Sequence, residues 1–129
     1  MNSINNNPKA ICAFAEPVND HIEHSLDLNQ YLIKHPAATF FVRVEGDSMC
    51  NMGILNGDLL IVDRSLTPQH DAIVVVVING EFTVKRLKII DGNGFLCTIN
   101  GRNQMPFAAL NGLQLWGVVT HAIHDVCPG

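Results

Sequence analysis

The sequence predicts an all-β domain, made of coiled, barrel-like antiparallel sheets and preceded by an extended N-terminal arm. Three observations carry that expectation. Short runs rich in Val, Ile, Leu and Phe recur from residue 39 onward, punctuated by Gly and Asn turns. One of those turns, Asn79-Gly80, is the dipeptide a type I′ hairpin favours, because both of its residues must take positive φ. Residues 1–26, by contrast, are rich in Asn, Pro, Ala and His and show no sustained period, so they read as an arm.

Taken in order, Asp27 is placed to N-cap a short helix over Leu28–Lys34, which must stop before Pro36. Thr39–Glu45 follows as a strand, with Phe41 off the strict alternation. Gly46–Gly57 is turn-rich and holds Ser48. Asp58–Asp63 is a continuous apolar strand, and Pro68 bounds the stretch after it. The hairpin comes next, Ile73–Ile78 and Glu81–Ile90, and then strands over Gly94–Ile99 and Leu113–Val126. No internal repeat is visible. The domain division is an arm over 1–26 and a β domain over 27–129.

Composition narrows the function. The chain has 129 residues, 47% of them apolar, enough for one domain with a proper core. Net charge is −4 and no Lys/Arg run stands out, which argues against direct binding to duplex DNA. The start, Met-Asn-Ser-Ile-Asn-Asn-Asn-Pro-Lys, has no charged region followed by an apolar one, so no signal peptide is read there. The longest apolar run, Ile73–Ile78, is too short to span a bilayer; the expectation is a cytoplasmic protein with no membrane contact. Cys12, Cys50, Cys97 and Cys127 include no C-x-x-C and read as free thiols. His121 and His124 lie in a strand-like segment where their spacing puts them on opposite faces, and His21/His24 are read as surface histidines; neither a metal nor another cofactor is expected.

The chemistry centres on Gly46-Asp47-Ser48-Met49 and, farther along, Lys85. A serine in a tight turn near Gly46 and Gly53 is a candidate nucleophile, and the backbone N–H groups of Ser48 and Met49 are candidate oxyanion donors. A serine in an ordinary surface turn is the other reading. The Gly-x-Ser-x-Gly elbow is absent, since position 50 is Cys. The Asn79-Gly80 turn pairs Ile78 with Glu81, and counting back puts Lys85 opposite Val74 and Thr83 opposite Val76. Alternation groups Lys85 with Leu87 and Ile89 and turns Arg86 and Lys88 toward solvent. A lysine on an apolar face is a candidate general base, because burial disfavours the charged form. The alternative is a lysine snorkelling to water at the sheet edge. Asp47, Asp58 and Asp63 read as turn and strand-end residues, Cys50 as packing, and Trp116 as core or dimer surface.

Together these segments resemble the LexA/UmuD family of self-cleaving Ser–Lys peptidases, and the UmuD type most of all. The similarity runs from about Ala10 to His124. It is carried by Asp27-Leu28-Asn29-Gln30 with Ile33 and His35-Pro36, by Gly46-Asp47-Ser48-Met49, and by Gly57-Asp58-Leu59-Leu60-Ile61-Val62-Asp63. Gly80-Glu81-Phe82-Thr83-Val84-Lys85 and Gly117-Val118-Val119 complete it. The resemblance implies a LexA/signal-peptidase-like fold, Ser48 as nucleophile and neutral Lys85 as general base. It implies a scissile bond at Cys12-Ala13, within Ala10-Ile11-Cys12-Ala13-Phe14, where Ala13 departs from the usual Gly.

It further implies cleavage promoted by a RecA filament on single-stranded DNA in the SOS response. The product, residues 13–129, would be a homodimer that serves a Y-family, UmuC-type translesion polymerase, with the sliding clamp as a further partner. Only 47 residues precede Ser48, and they hold no helix-turn-helix pattern, which favours the mutagenesis subunit over a repressor. Three alternatives stay open. They are a signal peptidase, which would need an anchor, a non-cleaving polymerase- or clamp-binding module, and a phage-encoded competitor of RecA-stimulated repressor cleavage.

Overall fold

The structure is a computed structural model that describes residues 27–46, 53–97, 104–110 and 112–127. The expected arm with Cys12-Ala13, and Ser48, Met49 and Cys50, lie outside the described residues. Asp27 caps α1 (Leu28–Leu32) as its side chain accepts from the N–H groups of Asn29 and Gln30. The helix ends at Leu32, two residues earlier than expected, because Ile33 is already extended; a 3-10 turn over Pro36–Ala38 then leads into β1 (Thr39–Arg43).

The remaining strands are β2 (Leu59–Asp63), β3 (Ile73–Ile78), β4 (Glu81–Ile90), β5 (Asn93–Cys97), β6 (Met105–Pro106) and β7 (Leu113–Ile123). They form one seven-stranded sheet in the order β1-β2-β7-β3-β4-β5-β6, with every neighbouring pair antiparallel. The all-β expectation holds. The barrel-like part does not extend to closure: β1 and β6 end the sheet among the described residues, and it stays open.

The β3–β4 hairpin matches the sequence reading residue for residue. Asn79 and Gly80 take φ of 53° and 82°, and Val74 pairs with Lys85 and Val76 with Thr83. β3 reads as an unbroken apolar run because both of its faces are covered. Val75 joins a core with Val44, Leu60 and Val62, whereas Val74 and Val76 join a second core with Leu87 and Leu96.

β7 runs between β2 and β3 and must satisfy both. It does so with two register shifts, one leaving Thr120 extra opposite β2 and one leaving Trp116 extra opposite β3. Such bulges bend a strand and re-aim a side chain; here Trp116 packs on the first core. Gly117 follows, and a Cβ there would come within 2.5 Å of Val62 Cγ1, so only glycine allows this approach. The two-residue β6 was not expected from sequence. It brings Phe107 onto Gly94, where an added Cβ would lie 2.6 Å from the ring.

Candidate active site

Lys85 is half-buried in β4 and lines a cleft of about 360 Å³. Val42, Val44 and Glu45, from the end of β1 and just beyond it, form one wall; Val75, Phe82 and Lys85 form the other. The face shared with Lys85 is apolar at one end only: Val74, Val76 and Leu87 are buried, but Ile89 is 40% exposed. No ion pair involves Lys85 among the described residues. The cleft therefore brings the candidate base beside the chain segment that runs on into Asp47-Ser48.

That segment is tightly held where it leaves the sheet. Val44 N–H donates to the Asp58 carbonyl and Gly57 N–H to the Val44 carbonyl, both at 2.9 Å. Arg43 Nη1 donates to the Gly57 carbonyl at 2.8 Å, and Gly46 N–H to Asn56 Oδ1 at 2.8 Å. Gly46 has φ of 98°, a conformation glycine tolerates and other residues resist. Ser48 and Met49, the expected nucleophile and oxyanion donors, lie beyond it outside the described residues, as does the Cys12-Ala13 bond.

Asp58 and Asp63 are structural carboxylates, in keeping with their reading as turn and strand-end residues. Asp58 is 1% exposed; Leu55 N–H donates to Oδ2 at 2.8 Å, and His124 Nδ1 lies 2.7 Å from Oδ1. The Leu55 hydrogen bond, aided by His124, holds the carboxyl below its ordinary pKa although burial opposes this. At the other end of β2, burial pushes the Asp63 carboxyl up, yet the net direction is downward. Ser65 donates from its N–H and hydroxyl at 2.8 and 2.6 Å, and His35 Nδ1 lies at 2.6 Å. Neither carboxylate lines the cleft.

The histidines and the thiol at position 97 have plainer roles. His124 engages Asp58 and His121 Nδ1 meets the Thr120 hydroxyl at 3.0 Å. Among the described residues no three His, Cys, Asp or Glu side chains cluster as metal ligands would. Burial pushes the Cys97 thiol pKa up, which disfavours the thiolate. Arg86 and Lys88 do not run out to solvent as expected. Their side chains are 20% exposed, and both reach Asp71, Lys88 through a hydrogen-bonded ion pair.

Lys88, burial, His70 and Arg86 all act on the Asp71 carboxyl; the cations win and lower its pKa. The available sequence signal was His70-Asp71, placed just before a strand. Trp116 sits between Phe40 and Phe82, at centroid distances of 5.3 and 5.4 Å, with the Arg64 guanidinium 4.6 Å over its ring. A larger cavity of about 830 Å³ lies between α1 and β1, lined by Asp27, Gln30, Ile33 and Phe41, and does not include Lys85.

An open antiparallel sheet with a lysine-lined cleft at the exit of its first strand defines a class, and comparison with known proteins gives the family. The Peptidase S24-like family profile matches residues 9–120. The chain is 46% identical to Protein ImpA of Escherichia coli over 111 residues, covering 86% of this chain and 76% of ImpA. It is 40% identical to Protein MucA of Escherichia coli over 120 residues (88% and 80%) and 47% identical to Protein SamA of Salmonella typhimurium over 111 residues (86% and 77%). The chain belongs to the Peptidase S24-like family, as a UmuD-type member of its LexA/UmuD branch. Among the described residues no helix is long and apolar enough to cross a membrane.

Proposed function

We propose that this protein is a self-cleaving serine peptidase. Neutral Lys85 takes the proton of Ser48, and Ser48 Oγ attacks the Cys12 carbonyl. The N–H groups of Ser48 and Met49 stabilise the oxyanion. The Cys12-Ala13 bond breaks with protonation of the departing Ala13 amine, and water then hydrolyses the Ser48 acyl ester. The observation that carries this reading is the cleft that joins Lys85 to Val44-Glu45, the stretch immediately before Gly46-Asp47-Ser48. Membership of a peptidase family supports it.

In this reading a RecA filament on single-stranded DNA promotes docking of the arm. The product, residues 13–129, forms a cytoplasmic homodimer that joins a UmuC-type Y-family polymerase, with the sliding clamp as a further contact, in SOS mutagenesis. The relatives' UmuD-like character supports that context.

Mass spectrometry of the purified chain over time at pH 7 and pH 10 tests the chemistry. Cleavage between Cys12 and Ala13 is expected, faster at pH 10 because the mechanism needs an unprotonated base, and absent in Ser48→Ala and Lys85→Ala. Cleavage at that bond in either variant, or none in the parent at either pH, refutes the mechanism.

A further inference from the structure

On the side of β4 that faces β3, backbone pairing continues beyond the first residue of β3. Leu87 N–H donates to the Ala72 carbonyl and Asp71 N–H to the Leu87 carbonyl, both at 2.8 Å. N–H groups on one side of a strand recur every second residue, so the next donor on that side is Ile89. The partner chain has by then turned away, because Asp71 takes φ of 71° and leaves the extended conformation. Ile89 N–H is met by a side chain and donates to His70 Nδ1 at 2.9 Å. An imidazole thus stands where a backbone carbonyl would be, as the last rung of the ladder.

That contact fixes the state of the ring. A donor facing Nδ1 requires a lone pair there, so His70 is uncharged in this arrangement and carries its proton on Nε2. A backbone carbonyl accepts at any pH, whereas an imidazole nitrogen accepts only while it is unprotonated. Nε2 lies 3.6 Å from Asp71 Oδ2, and from β4 Lys88 holds Asp71 while Arg86 faces it. The Lys88 hydrogen bond, helped by the charges of His70, Lys88 and Arg86, keeps the Asp71 carboxyl below the ordinary carboxylate range although burial opposes this. Asp71 therefore stays an anion across the range in which imidazoles titrate, about pH 5 to 8. Both side chains are half exposed, so protons reach them from solvent.

We propose that His70 is a pH-responsive catch on the end of β4: uncharged, its Nδ1 holds the Ile89 amide; charged, it lets that amide go. Protonation puts a second donor opposite the Ile89 N–H, and two donors repel. The charged ring then turns toward Asp71, the anion beside it. Acidification should loosen only this rung, since Leu87, one rung earlier, ends on the Ala72 carbonyl.

The test is amide exchange of the full chain by NMR, at about pH 8 and about pH 5.5, expressed as protection relative to the unstructured rate at each pH. In the parent, Ile89 protection should fall about three- to tenfold from the higher pH to the lower, the weight of one hydrogen bond. Leu87 protection should change less than about twofold. His70→Ala should leave Ile89 poorly protected at both values. His70→Asn, whose Oδ1 takes the place of Nδ1 and does not titrate, should keep Ile89 protected at both.

Ile89 protection that ignores pH in the parent overturns the inference, as does His70→Ala matching the parent at the higher pH. A fall that persists in His70→Asn, or that Leu87 shares in full, also overturns it, because another group would then be responsible. His70 and Ile89 can be followed whether or not the chain cleaves itself.

Discussion

Lys85 and Lys88 stand on the same strand, on opposite sides of its alternation, and the protein treats them differently. Lys88 is held by Asp71, with Arg86 and His70 close by, in a charge cluster at the base of the hairpin. Lys85 lines a cleft with Val44, Val75 and Phe82 and has no ion pair among the described residues. A paired carboxylate favours the ammonium form, and an amine held that way is a poor proton acceptor. The two lysines thus differ in partners: Lys88 is paired with a carboxylate, whereas Lys85 lines a cleft with Glu45 among its other residues and forms no ion pair among the described residues.

Truncating each lysine in turn puts this contrast under the most severe strain. Lys85→Ala should lower self-cleavage at least about 100-fold, the usual scale for loss of a general base. Lys88→Ala should leave it within about twofold, both followed by mass spectrometry at a single pH. Equal losses would erase the distinction.

The next effect concerns the scaffold that carries both residues. Gly117→Ala forces a methyl against Val62 in the first core, and urea denaturation should show a loss of about 1–3 kcal/mol. If the sheet around β7 is shared equally by the two lysines, the cleft and the charge cluster should both persist below the new urea midpoint.

A smaller effect separates the structural carboxylates from the cleft. Asp58 and Asp63 both have lowered pKa values in the folded protein, so each contributes stability above its unfolded pKa of about 3.9. That contribution is lost as pH falls through the still lower folded value. The stability gap between the parent and Asp63→Asn should narrow as pH falls below about 4. Urea melts from about pH 5 downward would show it, and a gap that widens below about pH 4 would reverse the assignment. Cleavage per folded molecule at neutral pH should be unchanged, since Asp63 does not line the cleft.

The smallest change is expected from Asp71→Asn. It removes the anion that holds Lys88 but leaves Val74 opposite Lys85, so the pH profile of cleavage should keep its midpoint. A shift of that midpoint would mean the two lysines communicate.

Sequence alone went furthest where structure is local. Two residues, Asn79 and Gly80, set the hairpin register and with it the pairing of Lys85 with Val74. The unbroken Ile73–Ile78 run announced a strand covered on both faces. What could not be read depends on residues far apart in the chain. Alternation turned Arg86 and Lys88 away from Leu87 correctly, but could not reveal that the loop before β3 would set Asp71 across their path. β6 is two residues long, too short to show any period, and its place at the sheet edge depends on pairing with β5. Whether the sheet closes is likewise decided by its edges, not by any one strand. At the candidate site, the pairing of Lys85 with Val74 followed from the Asn79-Gly80 turn, whereas the hold of Asn56 on Gly46 forms only where the chain doubles back on Val44.

Two of the histidine–aspartate contacts, His124–Asp58 and His35–Asp63, stand at opposite ends of β2, on carboxylates almost wholly withdrawn from water. A strand fastened at both tips cannot fray inward from either one. The amides of Leu60, Ile61 and Val62 should then exchange with deuterium only when the domain opens as a whole, which makes β2 the keel against which looser parts can shift.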